Sequence, residues 1–175
     1  MKNWMYFLTG LLFLSGCRSQ HITLKEPVEV KNEVHNDGQT GRARYIKLTP
    51  GRSLDIKKDP TGRIYLVAEE GDKVTVQLGY RVYPVDKRIM DADMDYSLTM
   101  ELDHPVSPGE WKDGKLKDIK AVYGFHAFHP DSGYYPVTEG SVRISVKKNR
   151  VVVEVNLPKK FGGEHINGIY EAEVK

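Results

Sequence analysis

Two clusters in this chain carry residue types that can hold a metal or move a proton. Asp91, Asp93 and Asp95 alternate along the segment DADMD, the opening spacing of a calcium loop whose carboxylates converge on one hard cation. Tyr96 stands where such a loop needs its turn glycine and Leu102 where it needs its last glutamate, which excludes the helix-loop-helix form. A strand-edge site stays open, because carboxylates at i and i+2 share a face about 6.6 Å apart. The simpler expectation is the wet face of a strand, without tight calcium binding. His126 and His129, with Asp131 close by, form the second cluster. On a continuous strand the two rings point to opposite faces. A bend at Pro130-Asp131-Ser132-Gly133 would let them converge, with His104 or His165 completing the three or four ligands that zinc needs. The same region is rich in rings: Trp111, Tyr123, Phe125, Phe128, Tyr134 and Tyr135 fall within 25 residues. Exposed rings stack on sugars, line a ligand pocket or anchor a protein partner, and buried ones fill a core. Nucleophilic catalysis has no matching pattern, since the chain has neither a Gly-x-Ser-x-Gly elbow nor a His-Glu-x-x-His pair.

The elements that must position these residues read as strands. From Ala43 onward short apolar runs alternate with turn signals: ARYIKL before Pro50-Gly51, RIYLVA after Pro60-Thr61-Gly62, KVTVQLGYRVY after Glu70-Gly71-Asp72, then MDADMDYSLTMEL, KDIKAVYGFHAF, SVRISV, VVVEVNL and NGIYEAEV. In MDADMDYSLTMEL, Met94, Tyr96, Leu98, Met100 and Leu102 share one parity and Asp93, Asp95, Ser97, Thr99 and Glu101 the other, the period of two of a long half-buried strand. Val142, Ile144 and Val146 mirror Val151, Val153 and Val155 across Lys147-Lys148-Asn149-Arg150, which predicts a hairpin with a polar turn. A short helix near residues 87–92 would be compatible with this pattern. Eight or nine strands at this spacing predict an all-β chain, a single antiparallel β-sandwich over residues 43–175, with a closed or partly open β-barrel as the alternative.

The N-terminus carries a different signal. After Lys2 and Asn3 come thirteen uncharged residues, WMYFLTGLLFLSG, too short for a transmembrane helix but matched to the core of an export signal. Its end, Leu14-Ser15-Gly16-Cys17, resembles the lipobox of bacterial lipoproteins. The resemblance implies a signal peptide at residues 1–16, cleaved before Cys17, and acyl groups on Cys17, the only cysteine of the chain. It also implies a lipid bilayer as partner, reached through the acyl groups. In that family Asp after the cysteine favours the inner membrane; Arg18 stands here, so the outer membrane is expected where the host has two. Residues 17–42, polar and without a sustained apolar face, are expected to be a tether with a first edge strand around residues 28–34. Near the C-terminus, GSVRIS, VVVEVNL, Gly162-Gly163 and Ile166-Asn167-Gly168-Ile169-Tyr170 resemble a pattern in uncharacterised β-sandwich lipoproteins of the Bacteroidetes type. Ala172 stands where that pattern closes with glycine. The resemblance implies a sandwich and assigns no catalytic residue.

A formal net charge of +2 on 175 residues is too near balance to imply a nucleic-acid partner, and none is expected. One cysteine excludes an internal disulfide and thiolate-rich metal sites. Residues 91–140 carry ten acidic and four basic side chains, an acidic middle between basic flanks. The expected function is a non-catalytic, membrane-anchored binding or scaffolding domain without a cofactor, its partner an envelope protein or a glycan. The alternatives are a hydrolase or metal-dependent enzyme with a His/Asp site near residues 104–131, and a glycan-binding module using surface aromatics. Convergence of two or more titratable groups in a polar hollow would favour the enzyme.

Overall fold

The computed structural model of the chain describes residues 20–86, 88 and 92–175. Cys17 and the rest of the lipobox, and most of the segment 87–92 with Asp91, lie outside the described residues. Among the described residues ten strands form two antiparallel sheets. The larger joins β1 (Val28–Asn36), β2 (Thr40–Lys58), β3 (Ile64–Pro84), β4 (Met94–Asp103), β6 (Val122–His126) and β7 (Gly133–Pro136) in the order β1-β2-β3-β4-β6-β7. The smaller joins β5 (Gly109–Lys112), β8 (Ser141–Lys147), β9 (Arg150–Asn156) and β10 (Gly168–Glu173) in the order β10-β9-β8-β5. Each sheet ends in unpaired edge strands rather than closing on itself, so the fold is the sandwich and not the barrel.

Alternation decides which side of each strand faces the other sheet. Leu48 of β2, Val76 and Leu78 of β3, and Leu98 and Met100 of β4 meet Val142 and Ile144 of β8 and Val153 of β9, all essentially sealed from water. The β8–β9 hairpin pairs Val142 with Val155, Ile144 with Val153 and Val146 with Val151, and turns at Lys148-Asn149. Lys148 takes φ +54°, the left-handed backbone that a two-residue hairpin turn requires. Ala172 is buried opposite Val151.

Three expectations are corrected. Pro50-Gly51 and Glu70-Gly71-Asp72 are not turns between separate strands, because β2 and β3 run through them as one long hairpin. The register steps from Pro50–Val74 to Arg52–Glu70, so three residues of β3 oppose Gly51 alone. Gly51 holds φ +70° at this bulge, where the ladder kinks without ending. The true turn is Asp59–Gly62, where Asp59 Oδ1 accepts from the Thr61 and Arg63 amides at 2.8 and 2.9 Å. Second, the polar parity through β4 is a wet face only at its ends, Asp93 and Asp103, and not in its middle. Ser97 and Thr99 are 1% and 7% exposed, because the outer half of the β2–β3 hairpin folds over that side. Glu101 accepts from the Leu54 amide at 2.6 Å and from Lys120 Nζ at 3.1 Å, and Lys120 also donates to the Leu54 carbonyl at 2.7 Å. Third, the chain is docked well before residue 43. Ile22 and Val106 exchange backbone hydrogen bonds and Leu24 is 2% exposed, so residues 20–24 are not a free tether, while β1 pairs with β2 as the edge strand expected around residues 28–34.

Candidate functional site

The outer face of the larger sheet, turned away from β8 and β9, assembles most of the chemistry. Cross-strand pairing sets Tyr45, Gly79, Ser97, Gly124 and Tyr134 in one row across five strands. The two glycines let the tyrosines lie down on the sheet. A Cβ at Gly79 would run into the Tyr45 ring, and one at Gly124 would come within 2.7 Å of Ser97 Oγ and 3.0 Å of the Tyr134 ring. Glycine inside a strand is the mark of such a close approach.

The next row on the same face is Arg81, Asp95 and His126. The Tyr45 hydroxyl donates to both Asp95 carboxylate oxygens, at 3.0 and 3.2 Å. Arg81 is ion-paired with Asp93, and the His126 ring meets Tyr134 edge-on, with centroids 4.8 Å apart. Arg81, Asp93, Asp95, His126, Ala127 and Phe128 line an open hollow of about 580 Å³. Phe128 stands 89% exposed at its rim. Desolvation pushes the Asp95 carboxyl above its ordinary value, against the opposing pull of the Tyr45 hydrogen bond and the Arg81 and His126 charges. The Tyr45 hydroxyl is pushed far up by its own burial and then by the Asp95 charge. A second hollow of about 410 Å³ lies on the same face, where Leu54 and Leu66 of the folded-over hairpin look down on Thr75, Gln77, Thr99 and Tyr134.

The structure gathers some of the expected residues and disperses others. Asp93, Asp95, His126 and Phe128 share the hollow, with Tyr134 adjoining it. His126 and His129 do not converge. The His129 ring lies 6.0 Å from Phe125, on the opposite parity of β6, with its Nδ1 3.5 Å from Asp131. His104 accepts from the Leu24 amide at the far end of β4. His165 of the short helix α1 (Gly163–Ile166) packs on Tyr96 at 4.0 Å and Tyr80 at 5.4 Å, and desolvation holds its pKa below the usual histidine value. Among the described residues no three His, Cys, Asp or Glu side chains are grouped to hold a metal ion. The rings do not form one patch either. Tyr123 is 8% exposed in the core, 6.1 Å from Tyr135 on the edge strand β7, while Trp111 lies on the smaller sheet over Gly109. Burial pushes the Tyr123 hydroxyl up to about 12.

Tyr45 and Arg81 were not singled out by the residue pattern, although the in-strand glycines of QLGYRVY and VYGFHAF mark the rows that seat them. Comparison with protein-family models, curated proteins and solved structures finds no match.

Proposed function

We propose that this chain is an envelope lipoprotein, held at a membrane by acyl groups on Cys17, whose β-sandwich is a non-catalytic module that binds a hydroxyl-rich ligand, a glycan, on the outer face of its larger sheet. The anchor is supported by the LSGC sequence after the uncharged run. The observation that carries the binding reading is Phe128, exposed at the rim of one open hollow in which Arg81 is ion-paired with Asp93 and Asp95 accepts from Tyr45. The convergence of Asp95 and His126 there supports the second reading given below. A sugar ring offers an apolar C–H face to stack on an aromatic ring and hydroxyls that donate to carboxylates and accept from guanidinium. An open hollow with a ring beside fixed polar groups suits such a ligand better than a deep apolar slot would.

Titration of the detergent-solubilised full chain with soluble neutral oligosaccharides tests this. Phe128→Ala should weaken binding about tenfold, as loss of an aromatic anchor does, while shifting stability by less than about 0.5 kcal/mol, as at other exposed positions. A panel without binding, or binding indifferent to Phe128, would remove the glycan reading. Cys17→Ser should abolish lipid labelling and membrane fractionation. Membrane attachment that survives in this variant, together with an unacylated wild type, would remove the lipoprotein reading.

One observation favours a second reading, a hydrolase. Asp95, its proton held more tightly than usual, stands across the ladder from His126, the kind of pair that serves as acid and base. Release of shortened products from the same oligosaccharides, lost in Asp95→Asn, would favour it over simple binding.

A further inference from the structure

The described chain is packed from its first residues. The Lys148 amide donates to Gln20 Oε1 at 3.2 Å, Ile22 and Val106 exchange backbone hydrogen bonds at 3.0 and 2.9 Å, and Leu24 is buried. Cys17 lies only three residues before Gln20. A chain spans at most about 3.6 Å per residue, so Cys17 lies within about 11 Å of the Gln20 position. A free tether through residue 42 would let the domain tumble above a bilayer; a leash of three residues does not. Resting on the reading of Cys17 as the acylated residue, we propose that the end of the sandwich formed by the β8–β9 turn lies against the lipid surface and that the outer hollow points away from it.

The turn suits that surface. Lys147 and Lys148 are exposed, and neither side chain has an ion-pair partner among the described residues. The Val174 amide donates to the Asn149 carbonyl, which brings Lys175 to the same turn. Three ammonium groups thus stand beside the anchor, where bilayer phosphates would meet them. Glu173, which accepts from Asn149 Nδ2, and Glu171 are the nearby acids, and both face Arg150 at 3.7 to 3.9 Å. The hollow is at the other end of the sheet. Lys73 pairs with Asp103, next to His104 and the Val106 bridge, whereas Arg81 is eight residues further along β3, about 26 Å at roughly 3.3 Å per residue. A ligand in the hollow is therefore met on the side remote from the membrane that holds the protein.

The acylated full chain, reconstituted in phosphatidylethanolamine–phosphatidylglycerol vesicles containing quencher-labelled headgroups, tests this orientation. Because Cys17 is the only cysteine and its thiol is blocked, Lys147→Cys and Phe128→Cys each add one free thiol for a fluorophore. The probe at 147 should lose most of its emission and the probe at 128 almost none. Equal quenching of both probes, or stronger quenching at 128, on a chain that is acylated and membrane-bound would overturn the orientation alone. A chain whose mass shows no acyl groups would remove the lipoprotein reading, and this inference with it.

Discussion

The two faces of β4 are both withdrawn from water, but by different means. On the inner side Leu98, Met100 and Leu102 are covered by the second sheet, apolar against apolar. On the outer side Ser97, Thr99 and Glu101 are covered by the chain's own hairpin and by tyrosine rings laid over glycines, and each polar group has to find a partner there. Burial on the inner face is non-directional and tolerates no void. On the outer face it depends on a few directed bonds, from Leu54 and Lys120 to Glu101 and from Tyr45 to Asp95. That face therefore closes only in part, and the two hollows are what it leaves open.

The inner face should be the more costly to damage. Met100→Ala, at a position with no exposure, is expected to cost about 2–5 kcal/mol in a denaturant melt, the usual range for emptying a packed site. Glu101→Ala, on the outer face, leaves the Leu54 amide without its acceptor and Lys120 with only the Leu54 carbonyl. The expected loss is about 1–3 kcal/mol, moderated because the Lys120 side chain is 42% exposed and can return to water. Should Glu101→Ala prove as costly as Met100→Ala, the hairpin roof would be part of the core in energetic terms, and the contrast between the faces would fail.

Gly79→Ala probes the aromatic cover. The new methyl meets the far end of the Tyr45 ring, which can swing outward at the expense of its bonds to Asp95. A loss of about 1 kcal/mol is expected, the low end for overpacking, together with reduced ligand binding in the adjoining hollow. A stability loss as large as that of Met100→Ala would show that the tyrosine row is as rigid as the core.

Much of the inner face was legible in the residues. The alternation in DYSLTMEL and the mirrored valines of the β8–β9 hairpin state which side chains meet, because period two follows from strand geometry alone. The outer face was not legible from the same letters. A polar parity looks wet unless a distant segment covers it, and the cover depends on the kink at Gly51, where Pro50-Gly51 reads locally as a turn. His126 and Asp95 are 31 residues apart, and only the β4–β6 register makes them neighbours. The glycines of QLGY and VYGF were the one local hint, since glycine in a strand otherwise weakens it and implies that something else occupies the space.

The smallest effect expected is a change in pH dependence from Asp95→Asn, and it bears most directly on how dry the outer face is. Desolvation holds the folded Asp95 carboxyl above the 3.8 of a free aspartate, and the Tyr45 hydrogen bond only partly offsets it. Between the unfolded and folded values the native state keeps a proton that the unfolded chain has released. The contribution of this group to stability is therefore fully present below pH 3.8, falls as pH rises through the folded value, and is level above it. Asparagine does not titrate, while its Oδ1 can still accept from Tyr45, so this fall should be absent from the variant's melts and appear as a decline of wild-type stability relative to the variant across the mildly acidic range. Loss of the attraction to the Arg81 charge acts in the opposite sense, which keeps the net change small. Melts in which Asp95→Asn leaves the slope untouched, or in which wild-type stability rises through that window relative to the variant, would mean that the Asp95 charge is well solvated. The outer face would then be open to water around Asp95, and only the inner face would count as buried.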